Sequence, residues 1–391
     1  ASSNIRIDNT APVLNTIEIS SDNDNTAWAK STNIVTVKIV ANETLIQTPL
    51  PTITIGGRPA TVANGLVGDP WQGDFRTYTG VHTMDETDTE GAVTFKIEFQ
   101  NAHGVTGTTI TDDGSGSTTT NASSVTFDRQ DPTLDEVTIS TNNDNPAYAK
   151  EGSIITLEFT AANTENLFAD PTVTILGNDA DAVSGSGASW SATYTTVSAD
   201  AAANPVPFTI NFKDYAGNVG TEVDAIISGT DVIYDKTAPN LDGGVTITSD
   251  NTNDPAGTLA KPGDVITLSV TADDDIQKPT ITIAGNSGGS ITVSPANDGE
   301  SFYTATYEMQ ITDATALTAA DGTGGIAFTV DYSDIAGNEG EQVTDLTAHD
   351  ADGGVSFDKQ APSFTIISIG SLGNDVSTAT ADDDHTRAKS G

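Results

Sequence analysis

The stretch DVIYDKTAPNL (residues 231–241) alternates apolar and polar residues and then runs through an acid, a base and a proline. Nearly the same pattern recurs as IRIDNTAPVL (5–14), VTFDRQDPTL (125–134) and VSFDKQAPSF (355–364). The prolines of the four copies lie 120, 107 and 123 residues apart. Self-similarity at a nearly constant period predicts a chain of repeated domains.

Each repeat also contains strands at matching places. Every second residue is apolar in IVTVKIV (34–40), IITLEFT (154–160) and VITLSVT (265–271), which is typical of a half-buried strand. Two further strands are predicted in each repeat, at 51–57, 171–177 and 279–285 and at 95–99, 208–212 and 328–332. Hairpin turns rich in Gly and Asn, which tolerate positive φ, follow as NAHGVTG (101–107), DYAGNVG (214–220) and DIAGNEG (334–340).

Alternating strands and turns, without a long helical stripe, predict an all-β fold: tandem Ig-like antiparallel β-sandwich domains in an extended array. The predicted domains are residues 10–128 (repeat 1), 129–235 (repeat 2) and 236–358 (repeat 3). A last-strand remnant of a preceding repeat at 1–9 and the start of an incomplete repeat at 359–391 flank them. Either the sequence is a piece of a longer array, or ends of neighbouring subunits complete each other by strand addition.

The composition favours a protein that works outside the cell. The 391 residues include 15 Lys and Arg against 55 Asp and Glu, for a net charge of −40. This charge repels nucleic acids and anionic membranes, so neither is an expected partner. The chain has no cysteine, and hence no disulfide or thiolate metal site. No apolar run approaches the roughly 20 residues of a membrane helix, and the N-terminus lacks signal-peptide features, so we expect a mature fragment.

Aromatic residues recur at matching places and are predicted to pack in or beside the core. They are Tyr78, Tyr194 and Tyr307 in one strand, and Trp28 and Tyr148 in the segments AWAK and AYAK. A platform that stacks on sugar rings is the alternative. Leu259 takes the aromatic position in repeat 3, which argues against a ligand shared by all three repeats.

Four short motifs recur in order: DxTAP, an AKxGDxVTL-like strand, PTVTI and DxAGN. In this order and spacing they resemble the bacterial Ig-like (BIg-type) tandem repeats of large surface adhesins and related cell-surface proteins, over essentially the whole chain. The resemblance implies a secreted, surface-anchored protein whose repeats form an extended stalk, commonly stiffened by calcium. Repeat 1 departs from the pattern at Asn101 and His103, and DRQDP replaces DxTAP at 128–132.

Carboxylates are predicted to gather where one sandwich meets the next, because the last strand of an Ig-like unit ends where the following unit begins. The acids expected at the first junction are Asp128, Asp131, Glu165 and Asp214, and those at the second are Asp235, Asp273 or Asp275, and Asp334. Asp8, Glu43 and Asp358 hold corresponding positions at the other copies. Close carboxylates repel each other by several kcal/mol at intermediate dielectric, and calcium takes about six to eight oxygen ligands. A structural calcium is therefore predicted.

The alternative interpretation of these acids is ordinary strand-end chemistry, in which Asp caps backbone N–H groups and Pro fixes the linker. A second set of candidate calcium ligands lies in the loops SDNDN, TNNDN and SDNTND: Asp22, Asp24, Asp144, Asp250 and Asp254. The related stretch ADDDH lies at 381–385. None has the Gly and distal Glu of an EF-hand, and such runs are also simply good turn formers.

The sequence predicts a non-enzymatic structural stalk of an extracellular bacterial surface adhesin, stiffened by calcium and used for adhesion or biofilm. GNSGG (285–289) matches GxSxG, but it lies in a Gly-rich turn with no helix behind it. The expected partners are neighbouring repeats and an unknown host or surface ligand, with self-association into a filament or layer as an option. Two alternatives stay open: a filament or S-layer subunit assembled head-to-tail by strand addition, and a carbohydrate- or ice-binding module.

Overall fold

The computed structural model describes residues 8–65, 75–162, 171–241, 244–313, 323–344, 346 and 354–360. The chain divides into two compact units, Ala1–Pro239 with Ser333–Gly340, and Asn240–Tyr332 with Glu341–Gly391. Within the described ranges nearly all regular structure is β-strand, and a short 3-10 helix spans Gly288–Ser290. The predicted all-β fold of tandem Ig-like sandwiches is confirmed.

Repeat 1, in the first unit, is built of short strands around two four-stranded sheets. Its strands are β1 (Leu14–Ser21), β2 (Trp28–Ala29), β3 (Ile34–Ala41), β4 (Thr52–Ile55), β5 (Arg58–Pro59), β6 (Thr61–Asn64), β7 (Thr77–Thr83), β8 (Gly91–Ala92), β9 (Phe95–Glu98), β10 (Ile110–Asp112) and β11 (Thr126–Phe127). The sheet orders are β1-β3-β7-β6 and β10-β9-β4-β5, with a smaller sheet β2-β11-β8.

Repeat 2, also in the first unit, follows the same plan. Its strands are β12 (Leu134–Thr141), β13 (Tyr148–Ala149), β14 (Ile154–Ala161), β15 (Thr172–Ile175), β16 (Asn178–Asp179), β17 (Ala182–Ser186), β18 (Ser189–Thr195), β19 (Phe208–Asn211) and β20 (Ile233–Tyr234). They form the sheets β12-β14-β18-β17, β16-β15-β19 and β13-β20.

The second unit contains the strands of repeat 3. They are β21 (Val245–Ser249), β22 (Leu259–Ala260), β23 (Val265–Ile276), β24 (Thr280–Ile283), β25 (Thr292–Ser294), β26 (Glu300–Glu308), β27 (Thr323–Gly325), β28 (Phe328–Asp331) and β29 (Ser356–Asp358). The sheets are β21-β23-β26-β25, β22-β29-β27 and β24-β28.

Each repeat has its own hydrophobic core, built by the period-two alternation of its strands. On β3, for example, Val35, Val37 and Ile39 are fully buried while the residues between them are not. The repeated tyrosines Tyr78, Tyr194 and Tyr307 belong to these three cores, which confirms the prediction that they pack inside. These three tyrosines therefore contribute to the packing of the cores.

A parallel strand pair at the edge of each sandwich was not predicted. The segments AWAK (27–30), AYAK (147–150) and LAK (259–261), called AK segments below, contain β2, β13 and β22. These strands run parallel to the last strand of the same repeat, β11, β20 and β29. Two parallel strands run in the same direction and end on the same side of the sheet. The lysine of each AK segment therefore lies beside the aspartate at the end of the last strand.

Gly220 tests how tightly the core of repeat 2 is packed. A Cβ added at Gly220 would lie 2.3 Å from Cε2 of Phe212, a core residue. Overpacking of this kind costs about 1–3 kcal/mol, so we expect Gly220→Ala to lower the lowest calorimetric unfolding midpoint by at least about 4 °C. Gly289→Ala is the matched control, because its Cβ would enter open space. Equal midpoints for the two variants would contradict this packing.

Candidate functional site

The DxAGN turns are rigid hairpins whose tips present backbone carbonyls. In the first, the Asp214 carboxylate accepts hydrogen bonds from the Asn218 N–H at 2.9 Å and from the Asn218 side-chain amide at 2.8 Å. Gly217 adopts φ +82°, which favours glycine at this position. The hairpin at Asp334–Asn338 repeats both bonds, each at 2.8 Å. Asp214 and Asp334 are both almost fully buried.

The first hairpin is anchored on repeat 1 by two side chains near the AK segment. The Lys30 Nζ donates to the carbonyl oxygen of Gly217 at 2.5 Å. The Asn23 Nδ2 donates to the carbonyl oxygen of Ala216 at 2.7 Å. Hydrogen bonds made by a charged group contribute about 1.5–3 kcal/mol each, so the lysine bond is the stronger of the two.

The hairpin segment Ser333–Gly340, which belongs to the first unit, is held in the same way on repeat 2. The Lys150 Nζ donates to the carbonyl of Gly337 at 2.6 Å, and Asn143 Nδ2 donates to that of Ala336 at 2.9 Å. The donor and acceptor residues are separated by 187 positions for both lysines and by 193 for both asparagines. We call these two arrangements the first and second hairpin joints.

Each hairpin joint also contacts the aspartate that follows the last strand of the preceding repeat. Asn218 Nδ2 donates to the backbone carbonyl of Asp128 at 3.2 Å, and Asn338 Nδ2 donates to that of Asp235 at 3.1 Å. The hairpin amide thus bonds to the main-chain oxygen of the DxTAP-type aspartate. This leaves the Asp128 and Asp235 carboxylates to cap the following turns, at Gln130 N and Thr237 N.

An aromatic pair adds to the first hairpin joint. The rings of Trp28 and Tyr215 are stacked, with centroids 5.8 Å apart and planes inclined by 21°. Such pairs contribute about 0.5–1.5 kcal/mol beyond the area that they bury. In repeat 1 the aromatic residue of the AK segment, Trp28, therefore packs against the next hairpin rather than standing open as a ligand platform.

The carboxyl of Asp128 stands in an unfavourable electrostatic environment. Its pKa is raised, first by burial and then by the Asp214 and Glu90 carboxylates, against the lowering effect of the hydrogen bond from Gln130 N–H. Glu90, Asp128 and Asp131 line one shallow recess beside Trp28. Asp128, Asp131 and Asp214 were predicted to meet, whereas Glu90 was not predicted. Glu165 lies outside the described residues.

The equivalent acids at the start of repeat 1 meet at an amide. Asn101 Nδ2 lies 3.3 Å from Asp8 Oδ2 and 3.5 Å from Glu43 Oε2, and it donates to the carbonyl of Thr10 at 3.2 Å. His103 Nδ1 lies 3.4 Å from the same Asp8 oxygen. The structure therefore brings Asp8 and Glu43 together around donors supplied by the protein.

Of the remaining predicted acids, Asp273, Asp275 and Asp358 belong to the second unit, and Asp235 and Asp334 to the first. Asp273 Oδ1 accepts the N–H of Asn240, Asp358 Oδ1 accepts that of Gln360, and Asp275 is exposed. In the second hairpin joint, Asp334 shares the Asn338 amide with the Asp235 carbonyl.

The Asn/Asp loops use their carboxylates to cap backbone N–H groups. Asp22 Oδ1 accepts from Ile34 N–H, and Asp250 Oδ1 from Val265 N–H. Burial alone would raise the pKa of Asp254, but hydrogen bonds from the Leu259 and Thr258 N–H groups lower it overall. Asp24 and Asp144 are exposed. These contacts are those of turn-forming residues.

No group of three or more His, Asp or Glu side chains in the described part of the chain is arranged to hold a metal ion. Calcium binding thus stays a prediction. GNSGG connects β24 to the 3-10 helix Gly288–Ser290, so Ser287 does not lie on the strand-to-α-helix turn of a nucleophile elbow. No helix of the described residues is long and apolar enough to span a membrane.

Several solved structures show some likeness to the chain. The I9–I11 tandem of titin is 7% identical and covers 84% of this chain and 94% of its own, with a TM-score of 0.31. The D1–D4 ectodomain fragment of ICAM-5 is 13% identical over 84% and 74%, with a TM-score of 0.29. The D00–D0 domain of intimin is 16% identical over 53% and 98%, with a TM-score of 0.22. At such low TM-scores these likenesses say nothing about function.

No protein-family model and no curated protein sequence matches the chain.

The side chains that hold the two hairpins were not predicted from the sequence. Lys30 and Lys150 occupy the same place in AWAK and AYAK, and Asn23 and Asn143 occupy the same place in the preceding loops. That recurrence was a signal, since a lysine kept in register in an acidic chain indicates a specific contact. The hairpin carbonyls that they bind carry no side-chain signature at all.

Lys30→Met tests the lysine bond of the first hairpin joint. The variant keeps the side-chain length but loses the charged donor, so the hairpin should open more often. We expect deuterium uptake across residues 212–220 to become roughly 10- to 100-fold faster, as a loss of about 1.5–3 kcal/mol implies.

Lys96→Met is the control for charge, because Lys96 is an exposed lysine that pairs with Glu98 on the sheet surface of repeat 1. Equal uptake across residues 212–220 in Lys30→Met, Lys96→Met and the parent protein would rule out an anchoring role for Lys30.

Proposed function

We propose that this chain is a non-enzymatic structural segment of an extracellular surface adhesin, in which Ig-like repeats are joined with controlled bending to form a stalk. The observation that supports it best is the pair of hairpin joints. The same lysine and asparagine donors hold the same two hairpin carbonyls at both, with the same sequence separations. A catalytic or ligand site has no need of such a recurrence, whereas a joint between serial domains does.

The hairpin joint restricts rotation because it fixes several points at once. A linker containing Pro132 limits the chain path, the Lys30 and Asn23 bonds hold the hairpin tip, and the Asn218 amide holds its base to the Asp128 carbonyl. Contacts at three separated points resist both bending and twisting. A flexible Gly/Ser linker would resist neither.

An extracellular bacterial surface is the location that the composition and the motif order support. The net charge of −40 disfavours nucleic acids and anionic lipids as partners. The order DxTAP, AK segment, PTVTI and DxAGN resembles BIg-type adhesin repeats. On this proposal the repeats position a binding tip away from the cell, in adhesion or biofilm formation.

Calcium is proposed as a second stabiliser of the first hairpin joint. Asp128 and Asp214, with Glu165 as the predicted third acid, supply the carboxylate oxygens that calcium prefers. The support is electrostatic, because the Asp214 and Glu90 carboxylates raise the pKa of Asp128. Arg129 pairs with Glu90 at 3.3 Å, so the Asp214 carboxylate is the stronger reason for a cation at this place. A divalent cation would supply the positive charge that relieves this repulsion.

The radius of gyration tests the stalk proposal. A compact domain of 391 residues has a radius of gyration of about 21 Å, and a stalk of serial repeats must exceed this clearly. We expect small-angle scattering at several concentrations to give a larger, concentration-independent value. A value near 21 Å would contradict a stalk, and one that rises with concentration would favour a filament subunit.

Asp128→Asn tests the electrostatics of the first hairpin joint. The folded carboxyl has a raised pKa, so the folded state holds its proton to higher pH than the unfolded state, and stability falls as pH rises above the ordinary value of 3.8. In chelator at pH 7 the variant should therefore melt higher than the parent protein. The difference should close as the pH falls towards about 4.

The same variant separates calcium from simple repulsion. If Asp128 is a ligand, calcium should raise the melting midpoint of the parent protein more than that of Asp128→Asn. Asp135→Asn, an exposed acid nearby, controls for the change of net charge. An equal midpoint of the parent protein in calcium and in chelator would end the calcium proposal and leave the hairpin joints untouched.

A further inference from the structure

The second unit carries a third copy of the surface that receives a hairpin in the two joints. Asn251, Leu259 and Lys261 stand where Asn23, Trp28 and Lys30 stand in repeat 1. The backbone places Leu259 and Lys261 as it places Trp28 and Lys30, because Leu259–Ala260 pairs in parallel with Ser356–Phe357, as Trp28–Ala29 does with Thr126–Phe127. The loop from Asn251 to Lys261 is three residues longer than that from Asn23 to Lys30, but Asn251 N–H donates to Ser249 Oγ as Asn23 N–H donates to Ser21 Oγ. We call Asn251, Leu259 and Lys261 the third receptor surface.

The local turn that orients the lysine is also the same. The backbone N–H of Lys261 donates to Asp264 Oδ2 at 2.9 Å. In the two occupied receptors, the Lys30 N–H donates to Asn33 Oδ1 at 2.8 Å and the Lys150 N–H donates to Ser153 Oγ at 3.0 Å. One side-chain acceptor three residues after the lysine therefore fixes the turn in each copy.

The third receptor surface differs from the others in its exposure. Leu259 is 52% exposed, whereas Trp28 and Tyr148 are partly buried. The Lys261 side chain is 53% exposed and its ammonium bonds to Asp264, which leaves donors free for a further acceptor. Within the described residues the Asn251 side-chain amide donates no hydrogen bond, while those of Asn23 and Asn143 donate to hairpin carbonyls.

We propose that the third receptor surface binds a DxAGN hairpin of a further Ig-like repeat. The chemistry of the occupant is defined by the two hairpins already seated on this chain: a tip with adjacent Ala and Gly carbonyls, one for an asparagine amide and one for a lysine ammonium. Leu259 supplies the apolar contact that Trp28 makes with Tyr215 in the first hairpin joint. The inference rests on the proposed role of the hairpin joints.

The residue before the hairpin glycine sets which hairpins fit. Ala216 and Ala336 are buried at this position in the two joints. The corresponding residue of repeat 1 is His103, which is exposed and lies 3.4 Å from Asp8. An imidazole cannot occupy the space of a buried methyl group without displacing its neighbours. The NAHGV turn is therefore a natural control for a hairpin that does not dock.

The affinity of the third receptor surface for a hairpin need only be modest. A hairpin supplied on the same chain or a tethered one acts at an effective concentration of about a millimolar. A dissociation constant in roughly that range therefore suffices to keep a joint closed. This sets the concentration at which the surface has to be tested.

Two disulfide-closed peptides test the surface on the full chain. One carries residues 211–221, with the DYAGN turn, and the other carries residues 98–108, with the NAHGV turn. We expect the first peptide to shift the backbone amide resonances of Asn251, Leu259 and Lys261 saturably at millimolar concentration. The second peptide should cause no saturable shift.

The variants Lys261→Ala and Lys278→Ala form a matched pair, because Lys278 is an exposed lysine of the same unit. Lys261→Ala should weaken binding of the first peptide at least about tenfold, and Lys278→Ala should leave it unchanged. Equal binding of both peptides, or binding that survives Lys261→Ala, would overturn the proposal. So would a dimer of the full chain that Lys261→Ala abolishes, since a second copy would then occupy the surface.

The result also separates this inference from the function on which it rests. If the peptide does not bind but Lys30→Met accelerates exchange as predicted, only the third receptor surface is wrong. If both experiments fail, the hairpin joints themselves lack the role given to them.

Discussion

The contact on which the other features of the first unit depend is a lysine ammonium bonded to the carbonyl of a hairpin glycine, Lys30 to Gly217 and again Lys150 to Gly337. It requires the parallel pairing of the AK segment, which delivers the lysine beside the end of the last strand. It also requires a rigid hairpin whose tip carbonyls point outward, which the Asp214 and Asn218 bonds provide. The fold and the hairpin joint thus depend on the same backbone features, the parallel strand pair and the hairpin.

The first hairpin joint combines an attractive lysine–carbonyl bond with repulsion between carboxylates, in a chain that has few basic residues. The 15 Lys and Arg of the chain are far outnumbered by its 55 Asp and Glu. Even so, Lys30 and Lys150 each donate a hydrogen bond to a hairpin carbonyl. Opposed to them, the burial of Asp128 and the nearby Asp214 and Glu90 carboxylates make ionisation of Asp128 unfavourable. The balance links joint stability to pH and, on the calcium proposal, to divalent cations. A stalk of this kind would be stiff in one ionic environment and looser in another.

The strands could be predicted from the sequence because the alternation of apolar and polar residues is a local pattern. Val35, Val37 and Ile39, for example, indicate a buried strand face within five residues. The hairpins and their approach to Asp128 followed from the repeat, since sandwich geometry sets where strands end. The anchoring bonds could not be predicted in this way, because Lys30 and its acceptor are 187 residues apart and the acceptor is a backbone oxygen. The amides Asn101 and Asn218 that bond to the predicted acids Asp8 and Asp214 could not be predicted either, because the sequence shows the charges but not their hydrogen-bond partners.

The central claim is that side-chain bonds to the hairpin fix the orientation of repeats 1 and 2, and the width of a distance distribution tests it directly. The chain has no cysteine, so spin labels can be placed specifically at Lys96→Cys in repeat 1 and Glu158→Cys in repeat 2. Double electron–electron resonance in chelator should give one narrow distance distribution for the parent protein and a clearly broader one when Asn23→Ala and Lys30→Met are added. Equally broad, or equally narrow, distributions in both proteins would contradict the account.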